Sequence, residues 1–237
     1  MRVTVIIPTY NEAGSIARVL DEIPASLVAE VLVVDAGSTD GTAEIAAAHG
    51  ARVIVEPRRG YGRACLTGVV RARNPDTVVF LDGDYSDRPG ELGRLIEPIR
   101  QGRADVVLGS RLAGGLAPGA MPWHAVLGNR LAATLIRWLY SVPLTDLGPF
   151  RAVRYEVLRA LDLRELTYGW SVEVVTRGAI RGYRVTEVPV SYHPRIGVSK
   201  ISGTITGSIG AAWCILTGIA KNRLRTRASP AEPGPVT

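Results

Sequence analysis

Five short runs rich in β-branched apolar residues recur through the first 111 residues: Val3–Pro8, Glu30–Asp35, Arg52–Glu56, Thr77–Asp82 and Asp105–Arg111. Stretches with helical apolar spacing separate them, at Ser15–Ile23, Thr42–His49, Tyr61–Arg73 and Pro89–Arg100. Near-continuous apolar strands joined by helical crossovers bury both faces of a mostly parallel sheet, so an α/β fold with flanking helices is predicted. With 237 residues, 46% of them hydrophobic, the chain has material for one core and a single domain. Ligands of such sheets bind beyond the carboxyl ends of the strands. The polar motifs fall at those ends: Pro8-Thr-Tyr-Asn-Glu12, Asp35-Ala-Gly-Ser-Thr-Asp40, Asp82-Gly-Asp84 and Gly109-Ser-Arg111.

Asp82 and Asp84 close a buried run, with Asp87 three residues on. Carboxylates at the exit of a buried strand need a partner. Mg²⁺ or Mn²⁺ is a natural one, because hard cations combine carboxylate oxygens with substrate phosphates. The competing reading is a solvated Asp-Gly turn. Asp35 is placed to accept hydrogen bonds from a base or ribose, whereas Ser38, Thr39 or Asp40 is placed to cap the helix near Thr42. Gly60-Tyr-Gly62 opens a helix after the third run, and its glycines would let a ligand approach the backbone at a helix N-terminus. It is also a partial dinucleotide fingerprint, with Cys65 in place of the last glycine.

The net charge is +6, which favours an anionic partner. Arg63, Arg111, Arg130, Arg151, Arg195 and Lys200 recur in or beside the motif-bearing loops and suit phosphate binding. Two cysteines, Cys65 and Cys214, provide no disulfide framework, and the three histidines show no metal-ligand spacing. The opening residues lack the pattern of a secretory leader, so a cytoplasmic location is expected.

The second half reads differently. Gly114 to Gly119 is a Gly/Ala/Pro-rich loop expected to be mobile. Leu127–Tyr140 has helical spacing at Leu127, Leu131, Leu135 and Trp138, with Arg130 and Arg137 on one face. Trp170–Arg181 is a further helix and Arg184–Tyr192 a strand. Residues 201–220 carry no charge, and Lys221, Arg223, Arg225 and Arg227 follow. An amphipathic helix on an anionic membrane surface fits this stretch, as does a helix packed on the protein's own core.

Taken in order, these motifs resemble those of family 2 glycosyltransferases with the GT-A fold. Asp146-Leu-Gly-Pro-Phe-Arg151, Gly169-Trp-Ser-Val-Glu173, Gly182-Tyr-Arg-Val-Thr-Glu-Val-Pro189 and Arg195-Ile-Gly-Val-Ser-Lys200 narrow the likeness to dolichyl- and polyprenyl-phosphate sugar synthases. The resemblance covers roughly residues 1–205. It implies a catalytic domain over 1–200, with a nucleotide-binding half 1–111 and an acceptor half 112–200. A membrane-surface helix over 201–227 and a disordered tail over 228–237 complete the expected organisation.

The same resemblance implies roles. Pro8, Tyr10, Glu12, Asp35, Gly62 and Asp82 would bind the nucleotide-sugar donor. Asp82, Asp84 and Ser86 would hold Mg²⁺ or Mn²⁺, Ser86 standing where relatives often have glutamine. Arg111, Arg130, Arg195 and Lys200 would bind the acceptor phosphate, and Asp84 and Arg111 would be catalytic. The expected reaction is inverting hexose transfer from a nucleotide sugar of the UDP-glucose or GDP-mannose type to a polyprenyl phosphate. It would occur at the inner face of the plasma membrane, with a homodimer allowed. The alternatives are a transferase acting on a soluble or cell-wall saccharide and a dinucleotide-dependent oxidoreductase. A nucleic-acid-binding module is disfavoured, because aromatics for stacking are sparse.

Overall fold

The computed structural model describes residues 1–197; Lys200, the expected helix over 201–227 and the tail over 228–237 lie outside them. The first half alternates as its patterns dictate: β1 (Val3–Thr9), α1 (Ile16–Glu22), β2 (Glu30–Asp35), α2 (Thr42–Ala48), β3 (Arg52–Val55), α3 (Tyr61–Arg71) and β4 (Thr77–Phe80). A short 3₁₀ turn at Pro89–Glu91 leads into α4 (Leu92–Arg100), then β5 (Val106–Ser110) and the single turn α5 (Arg111–Gly114). The second half adds α6 (Trp123–Tyr140), β6 (Arg151–Arg154), α7 (Tyr155–Ala160), α8 (Trp170–Ile180) and β7 (Val185–Pro189).

The seven strands among the described residues form one sheet in the order β3-β2-β1-β4-β6-β5-β7. Every pairing is parallel except those of β6, which runs antiparallel between β4 and β5. This strand has no apolar run to announce it, since Arg151 and Arg154 bound only Ala152 and Val153. Its place inside the sheet is tolerated because the Arg151 guanidinium bonds the Gly148, Pro149 and Ser171 carbonyls in place of solvent.

Each face of the sheet carries its own core. On one, Phe80 and Trp170 meet edge-on with ring centroids 4.7 Å apart, among residues of α3, α6, α7 and α8. On the other, β1, β2 and β4 pack against Ile16, Val19, Leu95 and Ile99 of α1 and α4. The helix predicted from Leu127 starts at Trp123, and it meets the core through Ala132, Ala133 and Ile136. Small residues bring it close to its neighbours, while Leu127, Leu131 and Trp138 of the expected stripe are exposed. The Gly114–Gly119 loop is tethered to Tyr192: Tyr192 N–H donates to the Gly115 carbonyl, and Ala117 N–H to that of Tyr192. Among the described residues, no helix is long and apolar enough to cross a membrane.

The starts of β5 and β7 are locked by one carboxylate. Asp105, buried, accepts from the Arg184 backbone N–H at 2.8 Å and from Arg184 Nε and Nη2 at 3.0 and 2.8 Å. The Arg184 hydrogen bonds hold its carboxyl below the ordinary value. Asp105→Asn is expected to cost about 1.5–3 kcal/mol in urea unfolding at neutral pH. Because the folded pKa is lowered, this contribution is present above the unfolded carboxylate value and fades as pH falls through the folded one. The gap between wild type and variant therefore closes in strong acid.

Candidate active site

The register aligns the strand ends. Thr9 stands opposite Asp35, and Phe80 opposite Ile6, so the loops leaving β1, β2 and β4 share one edge. β4 ends at Phe80, two residues before its predicted limit, and Asp82 and Asp84 lie in the turn that follows. That turn is tight: Tyr85 adopts φ 62°, a conformation rare for an aromatic residue. The Ser15 hydroxyl fastens it from below by donating to the Gly83 carbonyl at 2.7 Å.

Asp84 is buried and heavily engaged. Its Oδ1 accepts from Ser86 N–H at 2.9 Å and the Ser86 hydroxyl at 2.6 Å. Its Oδ2 pairs with Arg195 Nη2 at 2.8 Å. Ser86, expected as a metal ligand, is thus placed beneath Asp84 and orients it. A strap from the second half closes over the turn: His193 N–H donates to the Ser86 carbonyl and Ile196 N–H to that of Asp84, both at 2.9 Å.

Asp82 is half-buried and lines a cavity of about 250 Å³. Burial, then the neighbouring Asp84 charge, raises its pKa, against the pull of Arg195, Arg111 and Arg151. Asp87 is 1% exposed, and neither of its carboxylate oxygens has a hydrogen-bond partner among the described residues. Burial followed by Asp82 raises its pKa far above the ordinary range. An orphaned buried carboxyl beside two others marks a corner short of positive charge.

The opposite sign is supplied by the end of β5. Arg111 is 7% exposed and forms a bidentate pair with the fully buried Asp146, Nε to Oδ2 at 2.7 Å and Nη2 to Oδ1 at 2.8 Å. The backbone N–H groups of Arg111 and Leu147 complete the carboxylate's partners at 3.0 and 2.8 Å. Burial opposes ionisation of Asp146, but the Arg111 charge and these bonds hold its pKa down. So fixed, the Arg111 guanidinium lies 5.0 Å from the Tyr192 ring and lines the same cavity as Asp82 and Arg195. Met121, Pro122 and Ala125 give that cavity an apolar stretch.

Several expected site residues are placed otherwise. Four donors of its surroundings take up the buried Asp35 carboxylate: the Thr9 and Ser38 hydroxyls on Oδ1, and the Gly37 and Ser38 N–H groups on Oδ2. Asp35 thus shapes the loop that leaves β2. Asp40 bonds both N–H and hydroxyl of Thr42 at the start of α2. Gly62 serves packing: a Cβ there would lie 2.4 Å from the Glu165 carbonyl oxygen. The N–H groups of Gly62 and Arg63 already donate to the Thr167 and Leu166 carbonyls, so the N-terminus of α3 is capped by protein and not open to phosphate. This removes the feature on which the oxidoreductase reading rested.

Arg130 is exposed on α6, whereas its neighbour Asn129 lines the cavity; one residue turns a helix by about 100°. Arg151 is fully buried, donating to the Gly148, Pro149 and Ser171 carbonyls, and acts on the site only through its charge. Pro8, Tyr10 and Glu12 do lie at the shared edge, Tyr10 beneath the Arg59 guanidinium at 4.1 Å. Asp146 and Tyr192 carry more of the site than their sequence suggested. The signal for Asp146 was an acid inside the apolar run Val142–Phe150, which demands a buried cation.

Among the described residues, no three Asp, Glu, His or Cys side chains converge on a metal-sized point. Two carboxylates plus substrate phosphates suffice for a hard divalent cation. The oxygen-only donors of Asp82 and Asp84, with the orphaned Asp87 behind them, fit such an ion.

The family model for glycosyl transferase family 2 matches residues 4–162. A glycosyltransferase of Mycobacterium tuberculosis with no assigned substrate is 42% identical over 87% of this chain and 93% of its own length. The undecaprenyl-phosphate mannosyltransferase of Micrococcus luteus is 38% identical, covering 87% and 90%. The dolichyl-phosphate hexose transferase of Haloferax volcanii is 36% identical, covering 93% and 95%. Glucosyl-3-phosphoglycerate synthase from M. tuberculosis, solved with Mn²⁺ and UDP, superposes with a TM-score of 0.75 over 93% of this chain and 79% of that one. At 22% identity that likeness is one of fold. The fold and site define a glycosyltransferase of the GT-A type. The chain belongs to glycosyl transferase family 2.

Removing one member of the Arg111–Asp146 pair strands a buried charge. Asp146→Ala is expected to destabilise by about 3–5 kcal/mol in urea unfolding. The double variant Arg111→Met/Asp146→Leu is expected to recover most of that loss and to lack transferase activity.

Proposed function

We propose that the chain moves a hexose from a nucleoside diphosphate sugar to the phosphate of a polyprenyl-type lipid. The observation that carries this reading is the composition of one cavity: Asp82 together with Arg111 and Arg195, continued by Met121, Pro122 and Ala125. An amphiphilic phosphate matches a lining that joins two guanidinium groups to an apolar stretch, and Tyr61, Asn129, Tyr168 and Ser171 add polar groups to the same cavity. The names of the M. luteus and H. volcanii relatives support the same acceptor class.

On this reading Pro8, Tyr10 and Glu12 flank the nucleoside in a loop shaped by Asp35. Asp82 and Asp84 hold Mg²⁺ or Mn²⁺, which when bound stabilises charge on the departing diphosphate. A phosphate oxygen of the lipid attacks the anomeric carbon from the face opposite the diphosphate. The new C–O bond forms as the old one breaks, and the bonding pair leaves with the diphosphate, so configuration inverts. The acceptor phosphate is already ionised at neutral pH, so no strong base is required. Arg111 and Arg195 screen it from the donor's negative charge and hold it in line. Arg195 also balances Asp84, so one guanidinium connects the two halves of the site. The acceptor would reach the enzyme at the cytoplasmic face of the plasma membrane.

The test is a donor screen with purified protein, Mn²⁺ and a short isoprenyl phosphate, read by mass spectrometry. A glycosylated lipid phosphate is expected with one nucleotide sugar; glycosylation of soluble saccharides alone would exclude this reading. Asp82→Asn and Asp84→Asn are expected to lower transfer at least about a hundredfold, Asp82→Asn with little change in melting temperature and Asp84→Asn with a lower one because its Arg195 ion pair is lost. Arg195→Ala is expected to lower kcat/KM for the phosphate acceptor about a hundredfold. Full activity of either carboxylate variant at limiting Mn²⁺ would remove Asp82 and Asp84 from the metal.

A further inference from the structure

α6 turns its most apolar residues away from the protein. Trp123 is 78% exposed, Leu127 61%, Leu131 51% and Trp138 83%. At about 100° per residue these four fall within an arc of roughly 80°, opposite the Ala132, Ala133 and Ile136 face that meets the core. The stripe runs about 22 Å along the helix with a tryptophan at each end. Large aromatic and aliphatic side chains left uncovered in one stripe mark an interaction surface.

Charge identifies the partner. Arg130 and Arg137 border the stripe on one side, both exposed and without an ion pair among the described residues. The helix contains no Asp or Glu. A second copy of α6 laid on this face would bring arginines together with no counter-charge. The chain's own stretch over 198–237 contains one acid, Glu232, against Lys200, Lys221, Arg223, Arg225 and Arg227, so it could not balance them. Anionic lipid headgroups would, and an apolar stripe edged by cations with terminal tryptophans is the pattern of an interfacial helix.

Position adds a reason. Ala125 and Asn129, on the inner flank of the same helix, line the cavity that holds Asp82, Arg111 and Arg195, and Met121 and Pro122 continue it from the helix start. We propose that α6 lies in the surface of an anionic bilayer and thereby sets the mouth of the active-site cavity at headgroup depth. The docking itself rests on the helix face alone; delivery of acceptor from the bilayer rests on the lipid-phosphate reading above.

Flotation of the full chain with phosphatidylcholine vesicles, with and without phosphatidylglycerol, tests the docking. Wild type is expected to float with the anionic vesicles. Leu127→Glu/Leu131→Glu, at exposed positions and checked by melting temperature, is expected to lose at least about tenfold in vesicle affinity. Arg130→Gln and Arg137→Gln are each expected to lose about fivefold on anionic vesicles and nothing on neutral ones. If the double glutamate variant fails to fold, the arginine variants carry the test. Undiminished flotation of these variants would overturn the proposal. So would loss of a dimer on size-exclusion chromatography with flotation intact, which would make the face a contact between copies. In activity, the glutamate variant is expected to lose transfer to vesicle-embedded undecaprenyl phosphate while keeping transfer to a short water-soluble isoprenyl phosphate. Wild type that floats yet glycosylates neither acceptor would refute the lipid-phosphate reading and leave the docking surface standing.

Discussion

The site depends on the buried ion pair between Arg111 and Asp146. An arginine 7% exposed and a carboxylate fully buried are each costly alone. Together, with two backbone N–H groups on the carboxylate, they become a fixed joint between the end of β5 and the loop before β6. That joint aims a permanent positive charge at a cavity whose other wall bears Asp82. Without it, the corner formed by Asp82, Asp84 and Asp87 would gather like charges with only Arg195 and the buried Arg151 to balance them.

The charges of the site are thus drawn from both halves of the chain. The carboxylates come from the turn after β4, while Arg195 and Tyr192 come from the strap beyond β7. The two halves are sewn together by the His193 and Ile196 backbone bonds to that turn and by Arg195 on Asp84. Ser86 and Ser15 steady the turn from beneath. A turn so over-determined keeps Tyr85 in a left-handed conformation that would otherwise relax.

Much of this was legible in the residues. Buried parallel strands announce themselves by β-branched runs, and β2 falls where its pattern ends. The acids at the exit of β4 and the arginine at the exit of β5 could be placed because strand ends are where such sheets bind ligands. What escaped was decided by contacts between distant segments. Asp35 looks like a free acceptor until Thr9 and its own loop are seen to occupy it. Gly62 looks like a phosphate-loop glycine until the Glu165 and Leu166 backbone is seen to fill the space beside it. β6 carries arginine at both ends because its buried guanidinium bonds carbonyls, a solution that periodicity does not encode. In α6 the pattern of spacing was correct, but small residues took the core and the large apolar ones faced outward.

The central claim is that the Asp82–Asp84 corner and the Arg111–Arg195 wall are two sides of one pocket for two phosphorylated substrates. The most direct measurement is a crystal structure with Mn²⁺ and the nucleoside diphosphate of the preferred donor, with the metal located by its anomalous signal. The account predicts one peak shared by Asp82, Asp84 and the diphosphate, with Arg111 and Arg195 across the cavity. A diphosphate seated away from both carboxylates, or a metal bound elsewhere, would contradict it.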